Sequence, residues 1–197
     1  MSMRSWPFWF ALLVCACAGL LSAVVPRVAG QTIGEPEEFT AIAIVNNNVA
    51  SGAGTVLIRI NRWSTEAERT RLIETLQKKG PEKLLDELQD MRSVGTIRTP
   101  DSLAYDLRYA NQRPGEDGGR QIVLATDRPI GFWEAVRQPR TIQYPFTVIQ
   151  MQMGRDGKGK GTLSYATKII VRGDTIELEN FATQPIMLTE IRSKRSD

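Results

Sequence analysis

Between residues 55 and 61 apolar and polar side chains take turns. Val56, Ile58 and Ile60 recur at every second position, with Arg59 and Asn61 on the other phase. Successive side chains of an extended chain point to opposite faces, so this spacing predicts a half-buried strand over 55–63. The apolar run 39–45 before it predicts a buried strand. Asn46-Asn47-Asn48 and Ser51-Gly52-Ala53-Gly54 predict the loop between the two.

The period then changes. Thr65-Glu66-Ala67-Glu68 has the form of a capping box, in which the Thr65 hydroxyl accepts from the Glu68 amide and the Glu68 carboxylate reaches back. Leu72, Ile73 and Leu76 share one face of a helix predicted to run to Lys79. Gly80 is suited to stop it, and Pro81 to open a second helix over 81–91 carrying Leu84, Leu85, Leu88 and Met91. Both helices place acids early, and the first ends on Lys78 and Lys79, as the macrodipole favours. The pair reads as a hairpin inserted among strands, its apolar stripe covering one face or an end of a sheet.

After Pro100 the two-residue period returns. Leu103, Tyr105, Leu107 and Tyr109 are expected on one side, with Asp106 and Arg108 on the other. The stretch NQRPGEDGG (111–119) predicts a turn, and QIVLAT (121–126) a strand buried on both faces. Residues 127–140 are less regular. Further strands are predicted over 145–153, 162–171, 175–180 and 186–191, with Arg172-Gly173-Asp174 as a tight hairpin turn. Links this short require antiparallel neighbours, because parallel pairing needs long crossovers. The expected fold is α+β: a mainly antiparallel sheet, either a sandwich or a partly closed barrel, with an inserted two-helix hairpin.

The first thirty residues differ in kind. Arg4 precedes the apolar run WPFWFALLVCACAGLLSAVV (6–25), and small residues follow at Val28-Ala29-Gly30. That is the pattern of a secretory signal peptide cleaved after Gly30. The alternative is an uncleaved anchor, since about 20 apolar residues can span a bilayer; the membrane would then be reached through this segment alone. Cys17 after Val14-Cys15-Ala16 makes a poor lipobox, and use of it would split the apolar run. The expected organisation is a signal peptide (1–30), a flexible leader (31–38), one domain (39–193) and a disordered tail (194–197). The expected location is outside the cytoplasm, periplasmic or extracellular.

Removing the signal changes the chemistry available. Both cysteines, Cys15 and Cys17, lie inside it, so the remaining 167 residues hold no thiol. Disulfides, cysteine nucleophiles and thiolate metal sites drop out, and the domain must be held by its core. The segment also takes away Arg4 and Arg27 and no acid, reducing 25 basic residues to 23 against 22 acidic. The pI of about 9.0 for the whole chain is partly a property of the leader, and no nucleic-acid partner is implied.

Histidine is absent from the chain, which excludes the usual Ser-His-Asp and Cys-His triads and the common His-based zinc sites. Glu116-Asp117 lacks the spaced ligands of a calcium loop and reads as a solvated turn. Ser164 and Lys168, four apart on a strand, would stand about 13 Å from each other, too far to share a proton. Glu177 and Glu179 would share a strand face at about 6.6 Å, a spacing that resembles a hydrolytic carboxylate pair. Ile176 and Leu178 between them make an ordinary amphipathic strand the stronger reading.

GRDGKGKGT (154–162) comes close to a phosphate-binding loop but has Gly161 where that motif needs Ser or Thr. Strand-like residues follow it, whereas a phosphate loop opens a helix. It is expected to be a glycine-rich hairpin tip solvated by Arg155, Lys158 and Lys160. DRPIGFWEA (127–135) is the most distinctive loop. It reads either as a packed connector in which Trp133 plugs the core, or as a ligand-gripping loop with Trp133 as a platform and Arg137 or Arg140 for an anion.

The runs ATDRPIGFWEA, YPFTVIQMQMGRDGKGKGTLSYATKI and IELENFATQPIMLTEI, spread over 124–191, resemble a family of uncharacterised exported bacterial proteins. The resemblance implies export and a β-rich fold, and carries no activity.

The expected function is therefore a non-enzymatic binding or interaction protein without cofactor or metal. Its partner would be a small molecule or an envelope protein, and its candidate ligand residues are Tyr105, Tyr109, Trp133 and Arg137 near a mouth of the sheet. The alternatives are a structural envelope protein that binds no small ligand, and a carboxylate-dependent hydrolase.

Overall fold

Strands and helices follow one another in a simple meander with two insertions. The fold is seen in a computed structural model, which describes residues 34–46, 51–115, 118–128, 130, 146–165, 168–172, 175–179 and 185–195. The elements are β1 (Glu37–Asn46), β2 (Ser51–Ile60), α1 (Glu66–Lys79), α2 (Pro81–Asp90), β3 (Gly95–Arg98), β4 (Tyr105–Pro114), β5 (Arg120–Thr126), β6 (Thr147–Met153), β7 (Lys158–Tyr165), β8 (Lys168–Arg172), β9 (Thr175–Glu179) and β10 (Ile186–Arg195).

Eight strands form a closed barrel in the order β1-β10-β7-β6-β5-β4-β3-β2, with every neighbour antiparallel. The expectation of a sandwich or a partly closed barrel is corrected by the seam between the first and last strands, which pair from Glu37–Arg195 to Ile44–Met187. The strands β8 and β9 stand apart as a two-stranded hairpin, so the single strand expected over 162–171 is in fact two. Glu37 and Glu38, expected in a flexible leader, open β1. Lys194 and Arg195, expected in a disordered tail, close β10.

The alternating residues build the barrel's core. About eight strands leave a bore that side chains can just fill. Here it is filled by Phe39, Ile58, Ile97, Leu124, Ile149 and Met151 among others, each no more than 1% exposed. The β5 run is apolar on both phases because both faces are covered. Ile122 and Leu124 point into the bore, while Val123 and Ala125 lie under the helices.

The helical hairpin forms the second core. Leu72 and Leu76 of α1, with Leu84 and Leu88 of α2, pack with Met91 on Phe146, Val148 and Ala125 outside the barrel. The capping box forms as the sequence predicts. The Glu68 amide donates to Thr65 Oγ1 at 3.2 Å and the Thr65 amide to Glu68 Oε2 at 2.7 Å. Arg62 donates to both carboxylate oxygens of Glu68 at 2.9 Å. Chiefly through these bonds, and against a smaller opposing effect of burial, the Glu68 carboxyl is held below the usual glutamate range. Gly80 takes φ +85° between the two helices, a conformation that glycine adopts without strain.

Two bulges break the alternation. On β4, Leu107 pairs with Thr126 and Tyr109 with Ala125, so the register gains a residue near Arg108. Leu107 and Ala110, three apart, both point inward at 0% exposure. Ser64 takes up the backbone groups this leaves: its hydroxyl accepts from the Ala110 amide at 3.0 Å, and its own amide donates to the Ala110 carbonyl at 2.8 Å. On β10 the extra residue is Glu190, at φ +50°, and Leu188 and Ile191 both face the bore. Such bulges bend a strand and increase its twist, which a closing sheet needs.

Candidate functional site

The β4 bulge decides the fate of the two candidate tyrosines. The alternation placed Tyr105 and Tyr109 on one side of the sheet. The structure instead packs Tyr105 against the barrel core and Tyr109 against the helical cluster outside it. The Arg128 guanidinium lies over the Tyr105 ring at 5.1 Å. Tyr109 is half-buried, and burial above all pushes its phenol up to about 12. Trp133 and Arg137, the other two candidates, lie outside the described residues, as does Arg140. The structure therefore does not bring Tyr105 and Tyr109 together as one site.

Where β5 ends and β6 begins, two threonine hydroxyls tie down described backbone amides. The Thr147 amide donates to Thr126 Oγ1 and the Ile130 amide to Thr147 Oγ1, each at 3.0 Å. Arg108 donates to Asp127 at 2.9 Å and to the Met91 carbonyl at 2.9 Å. These bonds button the strand ends together and hold α2 to the barrel.

At the opposite end of the bore lies a polar cluster that sequence reasoning did not find. The Glu37 side chain is 3% exposed and forms a bidentate pair with Arg120, with 2.7 Å between Nη1 and Oε2. Ser193 also donates to Glu37, Arg120 donates to Gln112 at 2.9 Å, and the guanidinium covers the Phe39 ring at 5.8 Å. Glu37 stands on β1 and Arg120 on β5, four strands apart in either direction around the ring. The pair thus spans the bore. Trp63, 5% exposed, closes the same end and donates its indole N–H to the Glu35 carbonyl at 3.1 Å. The two charges pair with each other, and Ser193 and Gln112 complete their bonding, so the cluster plugs this end of the bore. A separation of 83 residues leaves no sequence signal for it.

The remaining candidates separate cleanly. Glu177 and Glu179 lie on β9, opposite Ile170 and Lys168 in the separate two-stranded hairpin. An open depression along α1 is lined by Glu66, Thr70, Arg71, Glu74, Lys78 and Glu87 among others. Its charges pair with one another as Arg71–Glu87 and Lys78–Glu74, so it is a solvated helix face rather than an apolar ligand pocket. Among the described residues no group of three His, Cys, Asp or Glu is placed to hold a metal, and no helix is long and apolar enough to cross a membrane.

GRDGKGKGT is a hairpin. Gly154 and Gly157 turn the chain between β6 and β7, with Gly157 at φ +73° and the Gly154 amide donating to the Lys158 carbonyl at 2.7 Å. From there glycine and lysine alternate with the strand's own period. Gly159 and Gly161 fall on the phase of Leu163, which faces the bore, opposite Met153 and Met151. Lys158 and Lys160 face outward and are exposed. A Cβ on Gly161 would come within 2.4 Å of the Gln150 carbonyl oxygen, and one on Gly159 within 2.4 Å of both the Gln152 carbonyl oxygen and the Met153 sulfur.

Comparison with protein-family profiles, with curated proteins and with solved structures finds no match to this chain.

Proposed function

We propose that the protein is an exported, non-enzymatic interaction protein that works through the outer surface of its barrel and encloses no small ligand. The observation that carries this reading is the filled bore. Large side chains from across the ring meet at its centre, the Glu37–Arg120 pair and Trp63 occupy one end, and Ile130 is buried in the same cluster. Barrels that hold a small molecule keep an open cup lined by a few polar groups. Export is supported by the apolar leader with its small-residue end.

Native mass spectrometry of the protein recovered from its own host tests this. The expected mass is that of the bare chain beginning at Gln31. A retained small molecule, lost on denaturation, would overturn the outer-surface reading. A chain still carrying residues 1–30 would overturn cleavage.

A further inference from the structure

The helices cover only part of the barrel. The outward phase of β1, β10 and β7, three neighbours in the ring, carries one face on which two chemistries sit side by side. Ile42, Ile44 and Met187 are exposed at 40%, 38% and 45%, and Ile44 pairs directly with Met187 across the β1–β10 seam. Further along the same strands the face becomes cationic, with Lys158 and Lys160 on β7 and Arg192 and Lys194 on β10. From Ile44 to the level of Lys194, which pairs with Glu38, is six residues of strand, or about 20 Å.

The cations are not arranged for the fold's own benefit. Lys158 and Arg192 are direct cross-strand partners, a like-charge pairing that costs stability. Their acidic contacts are loose, at 3.8 Å to Asp156 and 3.8 Å to Glu190, and each of these side chains is more than half exposed. Lys160 and Lys194 make no ion pair with any described residue. Arg59, by contrast, is bonded to Glu38 at 2.6 Å and is not part of this set.

We propose that this face docks on an anionic phospholipid surface, with Lys158, Lys160, Arg192 and Lys194 at the phosphates and Ile42, Ile44 and Met187 entering the headgroup boundary. The proposal rests on the outer-surface reading above and adds the partner's identity. A cation near an anionic bilayer contributes about 1 kcal/mol, and buried aliphatic area adds to this, so neither half suffices alone but the two together do. A polyanionic polymer fits less well. Single-stranded nucleic acids are gripped by aromatic stacking, and sugar rings offer the same kind of face to aromatic side chains. The described outward positions of these three strands carry no aromatic ring, and their large apolar groups are Ile42, Ile44 and Met187.

The described barrel strands and apolar clusters lie within 37–195 and 31–197 forms one compact unit, so 31–197 is the folding unit to test, free of the apolar leader. Flotation with phosphatidylglycerol–phosphatidylcholine vesicles is expected to carry this unit, and pure phosphatidylcholine vesicles are not. Raising salt from about 0.05 to about 0.5 M is expected to weaken binding at least about tenfold. The Lys158→Glu/Lys160→Glu variant is expected to lose about tenfold or more, and Ile42→Ser/Ile44→Ser several-fold, with circular dichroism unchanged in both. If either variant unfolds, Lys158→Gln/Lys160→Gln or Ile44→Thr replaces it. Absence of binding to the anionic vesicles at low salt overturns the proposal. Binding that survives both variants overturns it as well. Binding to a soluble sulfated polysaccharide as tight as to vesicles, and indifferent to Ile42→Ser/Ile44→Ser, would assign the face to a polymer. Failure here with a bare native mass removes the lipid and leaves the outer-surface reading standing.

Discussion

Tyr109 shows how one backbone irregularity sets a residue's chemistry. The bulge turns its ring out of the bore and under α1 and α2, and burial there raises its phenol from an ordinary 10.0 to about 12. In the unfolded chain the phenol ionises near its ordinary value, so between pH 10 and 12 the folded state holds a proton that the unfolded state has lost. Stability is therefore full below pH 10 and falls as pH rises toward 12, by roughly 2–3 kcal/mol at the far end of the window. Tyr109→Phe is expected to remove this component. Denaturant unfolding across that range should show a shallower alkaline decline in the variant than in the wild type. Equal declines would show that the ring is hydrated.

Among the elements, β7 is the clearest case of strand grammar hidden under a motif. Its glycines occupy the inward phase because the neighbouring strand comes too close for any side chain. Gly161→Ala is expected to cost about 1–3 kcal/mol, since its new methyl would press on the Gln150 backbone oxygen, which cannot move aside as a side chain could. Lys160→Ala, on the outward phase, is expected to stay within about 0.5 kcal/mol. A thermal-melt comparison of the two separates them, and a larger loss in Lys160→Ala would mean that the lysine is structurally engaged. The helices were legible to within a residue at their ends, because Thr65, Glu68, Gly80 and Pro81 act locally, through capping bonds and backbone preference that sequence alone specifies. Most strands were legible from alternation. What could not be read were the bulges at Arg108 and Glu190. A bulge is imposed by the curvature the whole sheet must reach, and it shifts the phase for every residue beyond it. The tyrosine grouping failed for that reason, and the rest of that candidate site, Trp133 and Arg137, lies outside the described residues.

For the molecule as a whole, the Glu37–Arg120 pair is a cross-member between opposite walls. Arg120→Ala leaves a carboxylate that is 3% exposed with Ser193 as its one remaining hydrogen-bond donor among the described residues. The expected loss is about 3–5 kcal/mol in denaturant unfolding, and replacing both residues by leucine is expected to recover much of it, because an apolar plug needs no compensation. A loss below about 1 kcal/mol would mean that water reaches the pair. Its partners come from four strands, β1, β4, β5 and β10, and no local sequence feature announces such a meeting.

The seam between β1 and β10 has a consequence in time. Around the ring, every other contact joins strands that are consecutive in the chain or separated only by the helical or the β8–β9 insertion, whereas this one joins the first strand to the last. It waits for the whole chain, and closing so long a loop is the slow step that distant pairing imposes. Until β10 arrives, β1 and β7 each present a raw edge of unpaired amides and carbonyls. A chain halted before residue 186 keeps both edges open, and the partner nearest to hand for them is another copy of itself.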